Sequence, residues 1–491
     1  MFLKSLLTLV LLNTCTPTFG QSFEARMMDV KSMQEELTYV QQKLNAVHPE
    51  PYHHVSKDTF DRRVERLRSQ RTPITTEQWY VHLSALISSL NDGHTALLYN
   101  QDERQRYFKQ GGTTLPFFAQ VADDKRVVIW HHFTSDSTLR SAQILEMDGR
   151  PIEDILQRMR MLTFGESEVF TNSRISGSFA RLYWLLYGHS DSVLLTLQLK
   201  NGTKKTEKYA SISETEYDVF VKRDFPQIQN STNHHMNLTI SDNRSVALLT
   251  LNDFSIYKGY KDSVAQVFQS IKEKQIDTLF IDLRDNGGGA HYITEEINHY
   301  LLDTPWVLVS KAKIKMSDEF YGVFPKSVRW FAKMLPKKPS LKLAAAVMTK
   351  NTKIKKVVKS RDPITKQPIF ELYTRPKQHY SKKHLYRGKV YLLTNRNSYS
   401  MSGMFAAIMK DYKRASIVGE ETGGLANPHG SNVSVTLPYS KFTFTVSTSR
   451  AYRPSGIFDN RGVLPDIQVS YNSLSQANTI EDLLKLVTEV N

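Results

Sequence analysis

Cysteine is nearly missing from this chain: among 491 residues only Cys15 carries a thiol. It falls in an opening stretch where Lys4 gives a positive start and Leu6 to Leu12 a short apolar block. Thr18-Phe19-Gly20 follows, with a cut expected before Gln21. Residues 1–20 therefore read as a secretory signal peptide, too short for a membrane anchor. Lipid attachment at Cys15 is the less favoured reading, because Asn13 and Thr14 suit such a cleavage site poorly. Removal of the leader leaves no cysteine, which excludes disulfides, thiolate nucleophiles and cysteine-based zinc sites. An exported chain without disulfides suits a periplasmic or extracellular setting. Other things are missing too. No apolar run reaches bilayer-spanning length. No His-x-x-x-His pair or acidic ligand cluster announces a metal, and no cofactor is expected. No internal repeat is visible.

Acidic residues are scarce in one place. From Lys311 to Lys389 there are 22 Lys/Arg against Asp318, Glu319, Asp362 and Glu371, a local charge of +18. The whole chain carries +15, so the remainder carries −3. The basicity belongs to one segment, read here as a solvated, partly helical insertion. Trp330, Phe331 and Ala344 to Met348 give it enough apolar surface to pack in part as a lid. A nucleic-acid role is disfavoured for an exported chain; an anionic surface or a peptide carboxylate is the more reachable partner.

What is present is ordinary folded composition, 40% apolar and 11% aromatic, in a chain long enough for two or three domains. Helical spacing marks Val30 to Val47, Asp58 to Ser69 and Thr76 to Leu90, with Thr76 as the N-cap. From Leu115 the period shifts towards two, with strands expected at Leu115 to Val121, Arg126 to His131, Ala142 to Met147 and Ser192 to Leu199. An Asp148-Gly149 turn leads into a helix from Ile152 to Leu162. A polar stretch from Asn230 to Asn243 reads as a linker. Beyond it, strands (Val246 to Leu251, Thr278 to Leu283, Trp306 to Ser310, Val390 to Leu393, Ala415 to Val418) alternate with helices (Tyr260 to Lys274, Tyr292 to Leu301, Met404 to Lys410). Asn432 to Pro438 and Phe442 to Ser449 suggest a hairpin. The division expected is a helical unit over 21–110, a β-rich module over 111–235 and an α/β core over 236–491 with the basic insertion at 311–389. In βαβ alternation, sites fall at the carboxyl ends of strands.

Two such strand ends stand out. Asp282-Leu283-Arg284-Asp285-Asn286-Gly287-Gly288-Gly289 stops a strand on three consecutive glycines, a costly choice unless the backbone must approach something closely. Its outward N–H groups could hold a developing negative charge. Neither Gly-x-Gly-x-x-Gly spacing nor a following Lys-Ser/Thr is present, so a phosphate cradle is the weaker alternative. About 110 residues later comes Ser398-Tyr399-Ser400-Met401-Ser402-Gly403, between a strand and a helix. Any of its serines could simply cap the helix; one becomes a nucleophile only with a base in reach. His94, in the turn Asn91-Asp92-Gly93-His94-Thr95, is the best candidate base. His48, His53-His54 and His234-His235 read as turn or linker residues.

Together these segments resemble the tail-specific, or C-terminal processing, serine peptidases, in the branch with tricorn protease and the interphotoreceptor retinoid-binding protein repeats. The resemblance rests on Asp282 to Gly289, on Gly419-Glu420-Glu421-Thr422-Gly423-Gly424, on Gly462-Val463-Leu464-Pro465-Asp466, and on His48-Pro49 with Asp92 to Thr95. It implies a ClpP/crotonase-like α/β core, an N-terminal helical unit and a PDZ-like β-rich middle module, the last marked by Leu145 to Pro151. It also implies a secreted endopeptidase acting on peptides or proteins. Ser400 would be the nucleophile and His94 the base, with Asp459 orienting it; backbone N–H groups of Gly288 or Gly289 and of Met401 would form the oxyanion site. The chain departs from the pattern at Leu425 and Gly403, where the lysine-dyad branch has its lysine and glutamate, and at Gly93, where tricorn has a serine. The alternative is a catalytically inactive peptidase-like protein that binds an apolar ligand or peptide.

Overall fold

The computed structural model describes residues 26–99, 101–188, 190–225, 235–242, 245–322, 352–376 and 385–488. The leader with Cys15, residues 230–234 and 243 of the expected linker, Trp330, Phe331 and Ala344 to Met348 lie outside these residues, and the rest of that linker holds the strand Met236–Ile240.

The N-terminal helices form for local reasons. Asp29 accepts the Ser32 N–H and caps the helix Val30–Val47, whose Met33, Leu37, Val40, Leu44 and Val47 form a buried stripe. In the helix Thr76–Ser88 the cap is Thr75, not Thr76: Thr75 and Gln78 exchange a capping box, and Thr76 is the first helical residue. The apolar faces of these helices close on a hairpin from the other end of the chain. Val433–Thr436 pairs antiparallel with Thr443–Val446, which also pairs with Ala96–Leu98. Leu437, Phe442, Phe444 and Val446 are fully buried in the same core as Leu37 and Leu83. This three-stranded join ties the segment that carries His94 to the C-terminal half.

The middle module is an antiparallel sheet in the order Lys204–Ala210, Ser192–Gln198, Gln143–Met147, Val127–His132, Phe117–Val121. The helices Ile152–Leu162, Glu168–Ser176 and Phe179–Tyr187 cover it around Ile144, Ile155, Met159 and Leu195.

The core sheet runs Met236–Ile240, Val246–Leu251, Thr278–Asp282, Lys389–Thr394, Ser416–Gly419, Ile467–Gln468, antiparallel at the first pair and parallel thereafter. The two central strands, Thr278–Asp282 and Lys389–Thr394, are apolar through their interiors, Leu279 to Ile281 and Val390 to Leu393, as strands covered on both faces must be. Their adjacent carboxyl ends bring the glycine run and the serine turn side by side.

Two expectations fail here. Trp306 to Ser310 is not a strand; the strand is Lys311–Lys315, and the buried stretch before it runs in extended loop. The described part of the basic segment is mainly β: the expected helical part is the short helix Asp318–Gly322, and the strands join a sheet instead of standing out in solvent as an insertion. Thr352–Arg361 and Pro368–Pro376 form a ribbon that pairs through Lys311–Lys315 with Ser449–Tyr452. Lys311, Lys313 and Lys315 share one face, and Ala312, Ile314, Phe370 and Leu372 are buried on the other. Lys315 is itself fully buried, bonded to Asp362 at 2.9 Å and to the Asn45 carbonyl. Among the described residues no helix is long and apolar enough to cross a membrane.

Candidate active site

The serine turn is built by side chains that the strand-end sequence supplies. Ser398 Oγ donates to Leu283 O at 2.7 Å and accepts the Asn395 N–H at 3.0 Å, so it staples the turn. Asn395 Oδ1 accepts the Asp285 N–H, and Tyr399 N–H donates to Asn286 O. The turn delivers Ser400 at φ +56°, ψ −116°, a backbone conformation unusual for a residue with a side chain. The helix Met401–Asp411 starts immediately after it, three residues earlier than the apolar pattern suggests. Ser400 stands at the N-cap position, yet its side chain makes no capping bond. Its Oγ lies 2.9 Å from His94 Nε2. Ser402 is buried, and its hydroxyl has no partner among the described residues.

His94 arrives from the opposite side. Thr445 Oγ1 donates to the His94 carbonyl at 3.1 Å, and the His94 N–H donates to Asp92 Oδ1 at 2.9 Å. Asp92 is a buried hub: Oδ2 also accepts from His48 Nε2, Thr95 Oγ1 and Ser447 Oγ at 2.6–2.8 Å. Burial favours its neutral form, but the bond from His48 and the surrounding imidazoles outweigh this and hold its carboxyl well below the usual range. His48, expected in a plain turn, is therefore part of the support. Its Nδ1 accepts the Glu50 N–H at 3.0 Å, so its proton sits on Nε2 and points at Asp92. That tautomer leaves His48 no lone pair for a metal in the cluster His48, Asp92, His429.

Burial pushes His94 down to about 4; Asp92 opposes this and the Arg174 charge adds to it. At neutral pH the ring is an uncharged imidazole able to accept a proton. Tyr399 stacks on it, ring centroids 4.9 Å apart, and the Tyr399 hydroxyl lies 3.0 Å from Nδ1. With Nε2 accepting from Ser400, Nδ1 carries the hydrogen and donates to the Tyr399 oxygen. Burial raises the Tyr399 phenol well above its ordinary value, so it stays protonated. Phe170 stacks on Tyr399 at 4.6 Å, and the Arg174 guanidinium sits over Phe164, Phe170 and Tyr399.

Asp459 does not join this group. It faces Arg453 at 4.0 Å, and the ring nitrogens of His94 bond to Ser400 and Tyr399 instead. The glycine run also divides. Gly288 lies against the nucleophile: a Cβ there would fall 2.8 Å from both Ser400 Cβ and Met401 N. Its own N–H, however, is taken by Asn286 Oδ1 at 2.9 Å and is not an open oxyanion donor. The N–H groups of Gly289 and Met401 have no acceptor among the described residues, which leaves them the unengaged pair. Leu425 is buried and apolar, so no lysine serves the serine from that position.

Residues 245–469 match the model of peptidase family S41. No curated protein matches the chain. The fold is shared with mature CPAF complexed with lactacystin, at a TM-score of 0.62 and 18% identity over 94% of this chain and 99% of that one. Mature CPAF gives a TM-score of 0.62 and 17% identity over 94% and 98% of the two chains. The photosystem II D1 C-terminal processing protease is a weaker likeness, with a TM-score of 0.44 and 16% identity over 89% and 93%. The chain thus carries an S41 peptidase domain over residues 245–469. It is a serine peptidase, and its substrates are peptides or proteins.

Proposed function

We propose that the protein is an exported serine endopeptidase in which Ser400 attacks the scissile carbonyl and His94 takes its proton. The observation that carries this reading is the 2.9 Å contact between Ser400 Oγ and an uncharged His94 ring. As the tetrahedral intermediate forms, its oxygen would turn towards the N–H groups of Gly289 and Met401; the same imidazole would then give its proton to the leaving amine. A base–nucleophile pair held this closely, beside two open backbone donors, is more than an apolar-ligand carrier requires.

Export to the periplasm or the cell exterior, with cleavage before Gln21, is part of the proposal. It is supported by the leader pattern and the cysteine-free remainder. Contact with anionic surfaces is the proposed role of the ribbon within 311–389, whose edge strand exposes Lys353, Lys355, Lys356, Lys359 and Arg361. The test of the activity is casein cleavage by the purified chain and by Ser400→Ala. Loss of cleavage in the variant is expected; undiminished cleavage removes Ser400 from the role.

A further inference from the structure

The site as described lacks the carboxylate that usually steadies a catalytic imidazole, because Asp459 faces Arg453. Another carboxylate approaches from the middle module. Glu166 lies in the loop between the helices Ile152–Leu162 and Glu168–Ser176. Its Oε1 accepts the Gly93 N–H at 3.3 Å and its Oε2 the Leu425 N–H at 3.4 Å, so it spans the base loop and the loop after the nucleophile. It also groups with Asp92 and His94, ligand atoms all within 4.8 Å of one another.

Gly93 shows what shares this space. A Cβ on Gly93 would lie 2.2 Å from the Tyr399 hydroxyl and 3.1 Å from the Glu166 carboxyl carbon. Any side chain at position 93 would therefore separate the Tyr399 hydroxyl from the Glu166 carboxyl. The missing side chain leaves the two groups facing each other across it.

Resting on the Ser400–His94 reading, the geometry points to Glu166 as the positioning carboxylate of this site, acting on His94 through the Tyr399 hydroxyl. The bonding is consistent as far as Tyr399. Ser400 O–H donates to His94 Nε2 and His94 Nδ1–H donates to the Tyr399 oxygen, while Glu166 acts on the Tyr399 hydroxyl by its charge and makes no direct hydrogen bond to it. When Ser400 gives up its proton, the imidazolium keeps both hydrogens and Glu166 accepts no proton; it offsets the new charge. The groups facing Glu166 are the Gly93 and Leu425 N–H groups, the Tyr399 phenol, the Asp92 carboxylate, His94 and the Arg174 guanidinium. Burial first, then the Asp92 charge, pushes the Glu166 carboxyl up to about 7. The anion that can offset an imidazolium is therefore present only above neutrality.

The test is the rate of covalent labelling of the full chain by a fluorophosphonate probe from pH 4 to 9, which needs no knowledge of the natural substrate. In the unaltered protein the rate should climb through a step near pH 7. In Glu166→Gln the rate at pH 8 should fall roughly 10- to 100-fold, part of the ~10²–10⁴ that a general base supplies. The step near pH 7 should vanish, a change that mere loss of packing would not produce. Tyr399→Phe, which keeps the ring stack and removes the hydroxyl, should show the same fall and carries the test if Glu166→Gln does not fold. Labelling of Ser400 in Glu166→Gln at the unaltered rate and profile overturns the inference and leaves the nucleophile standing. So does a larger loss in Asp459→Asn than in Glu166→Gln. No labelling of Ser400 in the unaltered protein at any pH overturns the Ser400–His94 reading and this inference with it.

Discussion

Replacing Gly288 by alanine tests the packing of the strand end against the nucleophile. The new methyl would sit 2.7 Å from Tyr399 O and 2.8 Å from Met401 N and Ser400 Cβ, about 0.6 Å inside ordinary carbon contact. All three neighbours are backbone or nucleophile atoms, so none can swing aside. Residue 288 also holds φ +99°, a region closed to most side chains, and strain of this kind costs about 1–3 kcal/mol. The turn must yield, and Ser400 and the Met401 N–H move with it. Misplacing a reacting group by ~1 Å costs on the order of 10² in rate. Gly288→Ala should therefore label with a fluorophosphonate about 100-fold more slowly, while the chain remains folded by circular dichroism. Gly287→Ala is the control: nothing lies within 4 Å of its added methyl, and its φ is not positive. It should label within about twofold of the unaltered rate, the scatter of substitutions that touch nothing. Equal labelling of Gly288→Ala and the unaltered protein would refute the reasoning, as would equal damage from the two alanines.

Three further outcomes follow from the charges. Native His48 and His94 resist protonation down to about pH 4, whereas unfolded imidazoles charge near 6.5. Stability should therefore fall on acidification through that window, because the unfolded chain binds more protons. Glu166 acts in the opposite sense between its ordinary 4.5 and about 7, the native carboxyl holding its proton longer. The net of these three groups is about one proton, or ~1.4 kcal/mol per pH unit across roughly pH 4.5–6.5, and His54, pushed down to about 4 likewise, steepens the slope read from urea midpoints. A flat or opposite slope would count against the assigned burial. Arg174→Met removes a charge that helps depress His94, so the acidic limb of the labelling profile should move to higher pH; a move to lower pH would contradict the assignment. Lys315→Ala strips the buried partner from Asp362 and should cost about 3–5 kcal/mol in urea denaturation; a loss under ~1 kcal/mol would mean that water reaches the pair.

The sequence was most informative where chemistry and secondary structure coincide. Ser400 and the glycine run sit at the ends of strands whose apolar pattern is strong, so their place at a strand-end site is legible in the chain, whereas the meeting of His94 with Ser400 rests on the family resemblance alone. Ser400 and Ser398 look alike in the chain; the hydrogen bond from Ser398 to Leu283 O and the contact of Ser400 with His94 separate their roles. Asp459 is marked in the chain only by its place before the Gly462 to Asp466 motif, and in the fold it stands 4.0 Å from Arg453, whose closer partner is Asp411. Glu166 had no local mark: it is a loop glutamate whose partners lie 73 residues before and 259 residues after it. Tyr399 was visible as a neighbour of the nucleophile but not as the hydroxyl beside His94, since its orientation depends on the empty space over Gly93. The β ribbon in the basic segment was hidden for a different reason. Its charge suggested a solvated face, while Lys315 and the apolar alternation around it pack inward.

The most direct measurement is peptide mapping of a fluorophosphonate adduct on the full chain, with the labelling rate compared in His94→Ala. The adduct should lie on Ser400, and His94→Ala should slow its formation by roughly 10²–10⁴-fold. An adduct on Ser398 or Ser402, or a His94→Ala protein that labels as fast as the unaltered one, would contradict the account.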